Sequence, residues 1–142
     1  MDAYIYMAIS GKGPRRHSGT GAYLIELQDG QKTVSKTFGF RYENLSEQGA
    51  SLRVFTRCGG FLARLGDVEH FYIYTASEYV RSGFYRMKKW SQEGWKNAKG
   101  KELANTDMWR KIEQQTKGYR IDVFLKTDGK VQELEDRLRK EM

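Results

Sequence analysis

The first apolar run, Ala3-Tyr4-Ile5-Tyr6-Met7-Ala8-Ile9, is rich in β-favouring side chains and stops at Ser10-Gly11. It predicts a buried first strand. A loop of Gly, Lys, Pro, Arg and Ser follows from Gly11 to Gly19. Thr20 to Gln28 then reads as a second strand, Asp29-Gly30 as a hairpin turn, and Gln31 to Phe40 as a third, alternating strand. The period next changes from two to about 3.6, because Leu52, Phe55, Phe61, Leu62 and Leu65 recur at helical spacing between Leu45 and Leu65. Gly59-Gly60 weakens the middle of that helix. Phe71 to Thr75 predicts a fourth strand, and Ser77 an N-cap for a helix beginning near Glu78. Helices are expected to continue, with interruptions, until Asn105 or Thr106 caps another over Asp107 to Thr116. Tyr119 to Leu125 is the fifth strand, and Val131 to Lys140 a last amphipathic helix with Val131, Leu134 and Leu138 on one side. The order predicts an α/β fold: three antiparallel strands and then two parallel ones, with helices on both faces of the sheet.

Charge adds information because of where it sits. The 142 residues carry 25 Lys plus Arg against 18 Asp plus Glu, a net +7. Within Arg81 to Lys101 stand Arg81, Arg86, Lys88, Lys89, Lys96, Lys99 and Lys101 against the single acid Glu93, so nearly all of the excess is local. Phe84, Tyr85, Trp90 and Trp95 are interleaved with these bases. Cations beside flat rings suit a nucleic-acid groove, where the charges neutralise phosphates and the rings pack on sugars or bases. The competing reading is a solvated helix face whose aromatics point into the core. The length fits one domain over residues 1–142. One cysteine, Cys58, excludes an internal disulfide and a Cys-rich zinc site. The N-terminus lacks a basic leader and cleavage signal, and no apolar run approaches the roughly 20 residues of a membrane span. A cytoplasmic protein with no membrane partner is expected.

Tyr74-Thr75-Ala76-Ser77-Glu78-Tyr79-Val80-Arg81-Ser82-Gly83, then Trp90, Gly94-Trp95-Lys96, and Asn105-Thr106-Asp107-Met108-Trp109 occur in order along the second half of the chain. These runs resemble type 1 ribonuclease H, which has T-D-S-x-Y-V-x-x-G after its fourth strand, a W-K-K-x-G-W-K basic protrusion, and N-x-D-L-W at the next helix. Ser10 and Ser18-Gly19-Thr20-Gly21-Ala22 stand where that family has D-G-S and G-G-Y-G-A. The resemblance spans essentially the whole chain. It implies the ribonuclease H-like fold, with residues of about 81–101 as a basic helical protrusion that in relatives grips the DNA strand of a hybrid.

The resemblance also locates what is missing. The family cleaves the RNA strand of an RNA–DNA hybrid with two Mg or Mn ions held by four carboxylates. Those positions fall on Ala8, Ser51 and Ala76, with Asp136 in Gln132-Glu133-Leu134-Glu135-Asp136 as the one possible remnant. Neither Ala nor Ser supplies the charge a hard cation needs, so no metal cofactor and no catalytic residue is expected. Lys126-Thr127-Asp128-Gly129 stands where the family has its mobile-loop histidine, and Ser46-Glu47-Gln48 where paired asparagines read the RNA 2′-hydroxyls.

Other candidate chemistry is sparse. His17, His70 and Cys58 have no metal-binding or nucleophile spacing around them and read as packing or surface residues. Gly11 to Arg16 is not a P-loop and reads as a solvated turn that could add a second basic contact. The resulting expectation is a nuclease-inactive protein that binds hybrid or duplex through Lys88, Lys89, Trp90, Trp95 and Lys96, with Arg81, Arg86, Lys99 and Lys101 adding phosphate attraction. A protein-interaction module is the alternative: an inactive subunit, inhibitor or immunity-type protein. A nuclease with metal ligands relocated to Asp67, Glu69 and Glu78 is the third reading.

Overall fold

The computed structural model describes residues 1–140. Its strands are β1 (Asp2–Ile9), β2 (His17–Asp29), β3 (Lys32–Leu45), β4 (His70–Thr75) and β5 (Ile121–Leu125). The helices are α1 (Glu47–Gly59), α2 (Glu78–Gln92), α3 (Thr106–Thr116) and α4 (Gly129–Lys140). The sheet order is β3-β2-β1-β4-β5. β1 pairs antiparallel with β2 and β2 with β3, whereas β1/β4 and β4/β5 are parallel. This is the α/β order expected from the periodicity.

Alternation along β1 divides the core between the two faces of the sheet. Ala3, Ile5, Met7 and Ile9 join the larger core with Leu52, Phe55, Phe71 and Trp109, on the side covered by α1, α2 and α3. Ala8 faces the other way and packs with Ala22, Leu134 and Leu138 beneath α4. Each fully buried Leu, Ile or Phe of the larger core stabilises the fold by about 1.5–3 kcal/mol. α1 and α2 begin as their sequences dictate. Ser46 Oγ accepts the Gly49 N–H at 3.1 Å, and Ser77 Oγ accepts the Val80 N–H at 3.2 Å.

Three boundaries differ from expectation by more than three residues, and β2 begins at His17, three residues before the expected Thr20. The first helix ends at Gly59 instead of reaching Leu65, and a single 3-10 turn, Leu62–Arg64, follows. α3 crosses α1 so closely there that a Cβ on Gly59 would lie 2.3 Å from Gln115 Oε1, while Gln115 Nε2 donates to the Thr56 carbonyl at 2.9 Å. β3 runs on to Leu45 because Arg41 and Tyr42 find partners in Thr20 and Gly19. The largest difference lies in the basic segment, where the helix stops at Gln92 and residues 93–104 are turns with one isolated bridge, Lys96 to Glu102. Gly94, Trp95 and Gly100 all take positive φ (78°, 62° and 78°), which ends helical geometry on both sides of the loop.

Candidate nucleic-acid interface

The C-terminal ends of β1 and β4 meet the N-termini of α1 and α2 around a cleft of about 230 Å³. Ala8, Ser51 and Ala76, distant in sequence, all line it. The fourth expected member does not. Asp136 is exposed and accepts a hydrogen bond from Gln132 Nε2 at 2.9 Å, whereas Glu135 lines the cleft. The reason is helical: Glu135 has Val131 four residues before it, Leu134 beside it and Leu138 three residues after it, so it borders the docked stripe. Asp136 neighbours Gln132 and Arg139 on the open side.

Two further carboxylates reach the cleft, Glu47 and Glu78. Each of the three is already engaged. Glu47 Oε2 accepts the Gly13 N–H at 3.0 Å. Glu78 is forked by the Arg81 guanidinium, with Nε at 3.0 Å, and that pairing lowers its carboxyl below the usual range. Glu135 lies 3.4 Å from Arg139 Nη2. Burial raises its carboxyl above the ordinary value, opposed by the positive charges of Lys12 and Arg139. As a donor set for a pair of divalent cations, Ala8, Ser51 and Ala76 do not fit, because two methyl groups offer no lone pair and a hydroxyl carries no charge. Among the described residues, no group of three or more His, Cys, Asp or Glu is arranged to hold a metal ion. Asp67 and Glu69 precede the first residue of β4, while Glu78 follows its last, so the six-residue strand separates them by about 20 Å.

α2 carries the cleft at one end and the basic protrusion at the other, about 22 Å away for 15 residues. Arg86, Lys88 and Lys89 are exposed on the helix, and Lys96, Lys99 and Lys101 on the loop beyond it. None of these six makes an ion pair among the described residues. Arg81 differs, being held by Glu78 at the cleft end. The tryptophans also depart from the expectation of rings offered to bases. Trp95 is only 6% exposed, with the Arg110 guanidinium 5.9 Å from its ring, and Trp90 packs edge-on to Trp109 with centroids 5.6 Å apart. They anchor the loop to the core, and the lysines form the accessible surface. Asn97 stiffens that loop: its Oδ1 accepts the N–H groups of Lys99 and Lys101 at 2.9 and 3.0 Å.

The remaining candidates are structural. The Cys58 thiol is fully buried, which pushes it up to about 12. His17 hydrogen-bonds Tyr42 Oη at 2.7 Å, and His70 pairs with Asp122 at 2.6 Å at the far end of the sheet. Where the family has its mobile-loop histidine, Lys126 pairs with Asp128 at 3.5 Å. The loop of residues 11–16 is docked against α1, since the Glu47 N–H returns to the Gly13 carbonyl at 3.2 Å. The sequence pattern had no means of showing that this docking places Lys12 close enough to act on Glu135.

This sheet, helix order and cleft define a ribonuclease H-like α/β protein. The RNase H family model matches residues 3–126, and the chain belongs to that family. It is 30% identical over 107 residues to ribonuclease HI of Vibrio parahaemolyticus, covering 73% of this chain and 65% of that protein. It is also 43% identical to ribonuclease H of Granulibacter bethesdensis over 49 residues, 34% of this chain and 33% of that one. The matched region spans just under two thirds of the length of the first of these relatives and one third of the second. Among solved structures it resembles LC9-RNase H1, a type 1 RNase H with the type 2 active-site motif, at TM-score 0.78 and 18% identity over 96% of this chain and 69% of that one. It also resembles a foamy viral protease-reverse transcriptase in complex with an RNA/DNA hybrid, at TM-score 0.74 and 16% identity over 97% of this chain and 19% of that one.

Proposed function

We propose that this RNase H-family chain binds hybrid or duplex nucleic acid through its basic protrusion and does not cleave it. One observation carries the reading. Ala8, Ser51 and Ala76 converge on a single cleft without a carboxylate among them, while six exposed cations with no ion pair among the described residues persist about 22 Å along α2. That span corresponds to about six base pairs at 3.4 Å of duplex per residue of one strand, so cleft and protrusion fit successive parts of one ligand. A relative's structure with an RNA/DNA hybrid supports the ligand class. Fluorescence anisotropy of labelled hybrid, duplex DNA, duplex RNA and single strands in EDTA tests it. The expected result is salt-sensitive binding of a double-stranded ligand; absence of any such binding overturns the reading.

A second reading, a protein-interaction module, is favoured by the outer face of β4 and β5. α4 packs over β1 and β2 and leaves Tyr72, Tyr74 and Phe124 there as a stacked ladder, with Phe124 40% exposed. A chain that binds no nucleic acid but is captured through this face would establish that alternative.

A further inference from the structure

We propose that the open edge of β3 takes up an acidic, extended peptide segment as a sixth strand of the sheet. This goes beyond the nucleic-acid reading and does not depend on it. The two edge strands, β3 and β5, differ in how they are covered. At β5, Tyr85 Oη accepts the Val123 N–H at 2.9 Å and donates to the Val123 carbonyl at 3.3 Å, so one side chain closes the middle of that edge. β3 has no such cover. It pairs with β2 from Lys32 to Tyr42, and among the described residues no side chain or loop hydrogen-bonds to the backbone of residues 32–42 from the outer side. The bond from Arg16 Nη1 to the Asn44 carbonyl, at 2.6 Å, lies past the end of this stretch. Lys32 to Thr37 are all exposed, Val34 at 61%. Every second residue of an edge strand turns its N–H and C=O outward, which leaves about five donor and acceptor pairs over roughly 33 Å as a template for another strand.

The side chains beside this edge select the occupant. On the α1 side of the sheet, Lys36 lies 5.2 Å from the Phe38 ring centre and Arg57 4.8 Å from that of Phe40. Phe61 packs 5.0 Å from Phe38 and carries Arg64 at 5.3 Å. All three cations are exposed, and none makes an ion pair among the described residues. Resting on rings, they are partly ordered before any partner arrives, which lowers the cost of pairing. The neighbouring acids lie elsewhere. Glu26 pairs with Lys130 on the opposite face, Glu43 turns to that face by strand alternation, and Asp29 sits at the hairpin opposite Lys32.

Charge disfavours a second copy of the chain. Antiparallel self-pairing centred on Val34 would set Lys32 opposite Lys36, and pairing centred on Lys36 would set that lysine opposite itself. A phosphate backbone would meet the cations but bring no N–H groups to the strand carbonyls. A peptide with carboxylates at alternate positions satisfies both, because its main chain completes the ladder while its acids face Lys36, Arg57 and Arg64.

The test uses the ¹⁵N-labelled full chain and a synthetic nine-residue peptide that alternates glutamate with threonine, read by amide shifts and hydrogen exchange. Shifts should saturate and centre on residues 32–42, with alternate β3 amides slowed in exchange by about tenfold or more. Peptides carrying lysine in place of glutamate, or proline at the centre, should give no such protection. Lys36→Ala/Arg57→Ala should bind the acidic peptide about fivefold more weakly, as expected for two exposed ion pairs, and Lys36→Ala alone about twofold. The single variant, at an exposed position, keeps the test decisive should the double one fail to fold. Equal binding of the lysine or proline peptide, unchanged affinity in both variants, shifts confined to the protrusion, or no binding at millimolar peptide overturns the proposal. So does protection of the β3 amides by self-association without peptide, which would assign the edge to a second copy, or by hybrid alone, which would assign it to nucleic acid.

Discussion

Replacing Lys88 and Lys89 together by alanine isolates the electrostatic part of binding from the fold. Both are exposed on α2 and neither makes an ion pair among the described residues, so their removal should change stability by no more than about 0.5 kcal/mol. Each phosphate neutralised contributes about 0.9 to the slope of log affinity against log salt. Six exposed cations on the protrusion set an upper bound near 5 for the parent slope, and the double variant should lower the observed slope by about 1.8. At 0.1 M salt each contact multiplies affinity about eightfold, so two lost contacts cost about 60-fold, roughly 2.4 kcal/mol. At 0.5 M the same loss shrinks to about 3.5-fold. Anisotropy titrations of labelled hybrid at five or six salt concentrations read both quantities. A variant that loses affinity equally at every salt would show that the lysines act through something other than phosphate neutralisation. One that binds with unchanged affinity and slope would remove the protrusion from the interface.

Three further outcomes follow from the geometry. Trp95→Ala should cost about 3–5 kcal/mol in urea unfolding, because the ring is buried; unchanged stability with lost binding would show it to be a base-stacking residue instead. Gly83→Ala should destabilise by about 1–3 kcal/mol, since its Cβ would lie 2.3 Å from the Trp109 ring; a neutral result in thermal unfolding would show that the contact relaxes freely. Burial holds the Glu135 carboxyl above its ordinary 4.5, so the folded state binds that proton more tightly than the unfolded chain. Its stabilising share is therefore complete below the unfolded value and is lost as pH rises through the folded one. Glu135→Gln should become the more stable protein, relative to the parent, as pH is raised from 4 toward 7; parallel stability curves would contradict this.

The strands were legible because their runs are short, apolar and punctuated by turn residues, and Ser77 declared its helix through the Val80 N–H group it satisfies. The convergence of Ala8, Ser51 and Ala76 was legible only through resemblance, since local periodicity says nothing about which strand end meets which helix. Composition misled at Trp95: a ring surrounded by lysines in sequence turns inward because Gly94 and Trp95 itself take positive φ and reverse the chain. Motif register pointed to Asp136, whereas Glu135, which borders the docking stripe of Val131, Leu134 and Leu138, is the residue of this helix that lines the cleft. The end of α1 depended on the approach of Gln115, more than fifty residues away, which no local pattern carries.

The proposed function is the binding of nucleic acid without cutting it. Incubating the protein in molar excess with hybrid labelled on its RNA strand, in manganese, and following bound and cleaved fractions together tests this most directly. The expected result is saturated binding with the RNA intact after hours. Cleavage that grows with protein concentration and disappears in EDTA would contradict it.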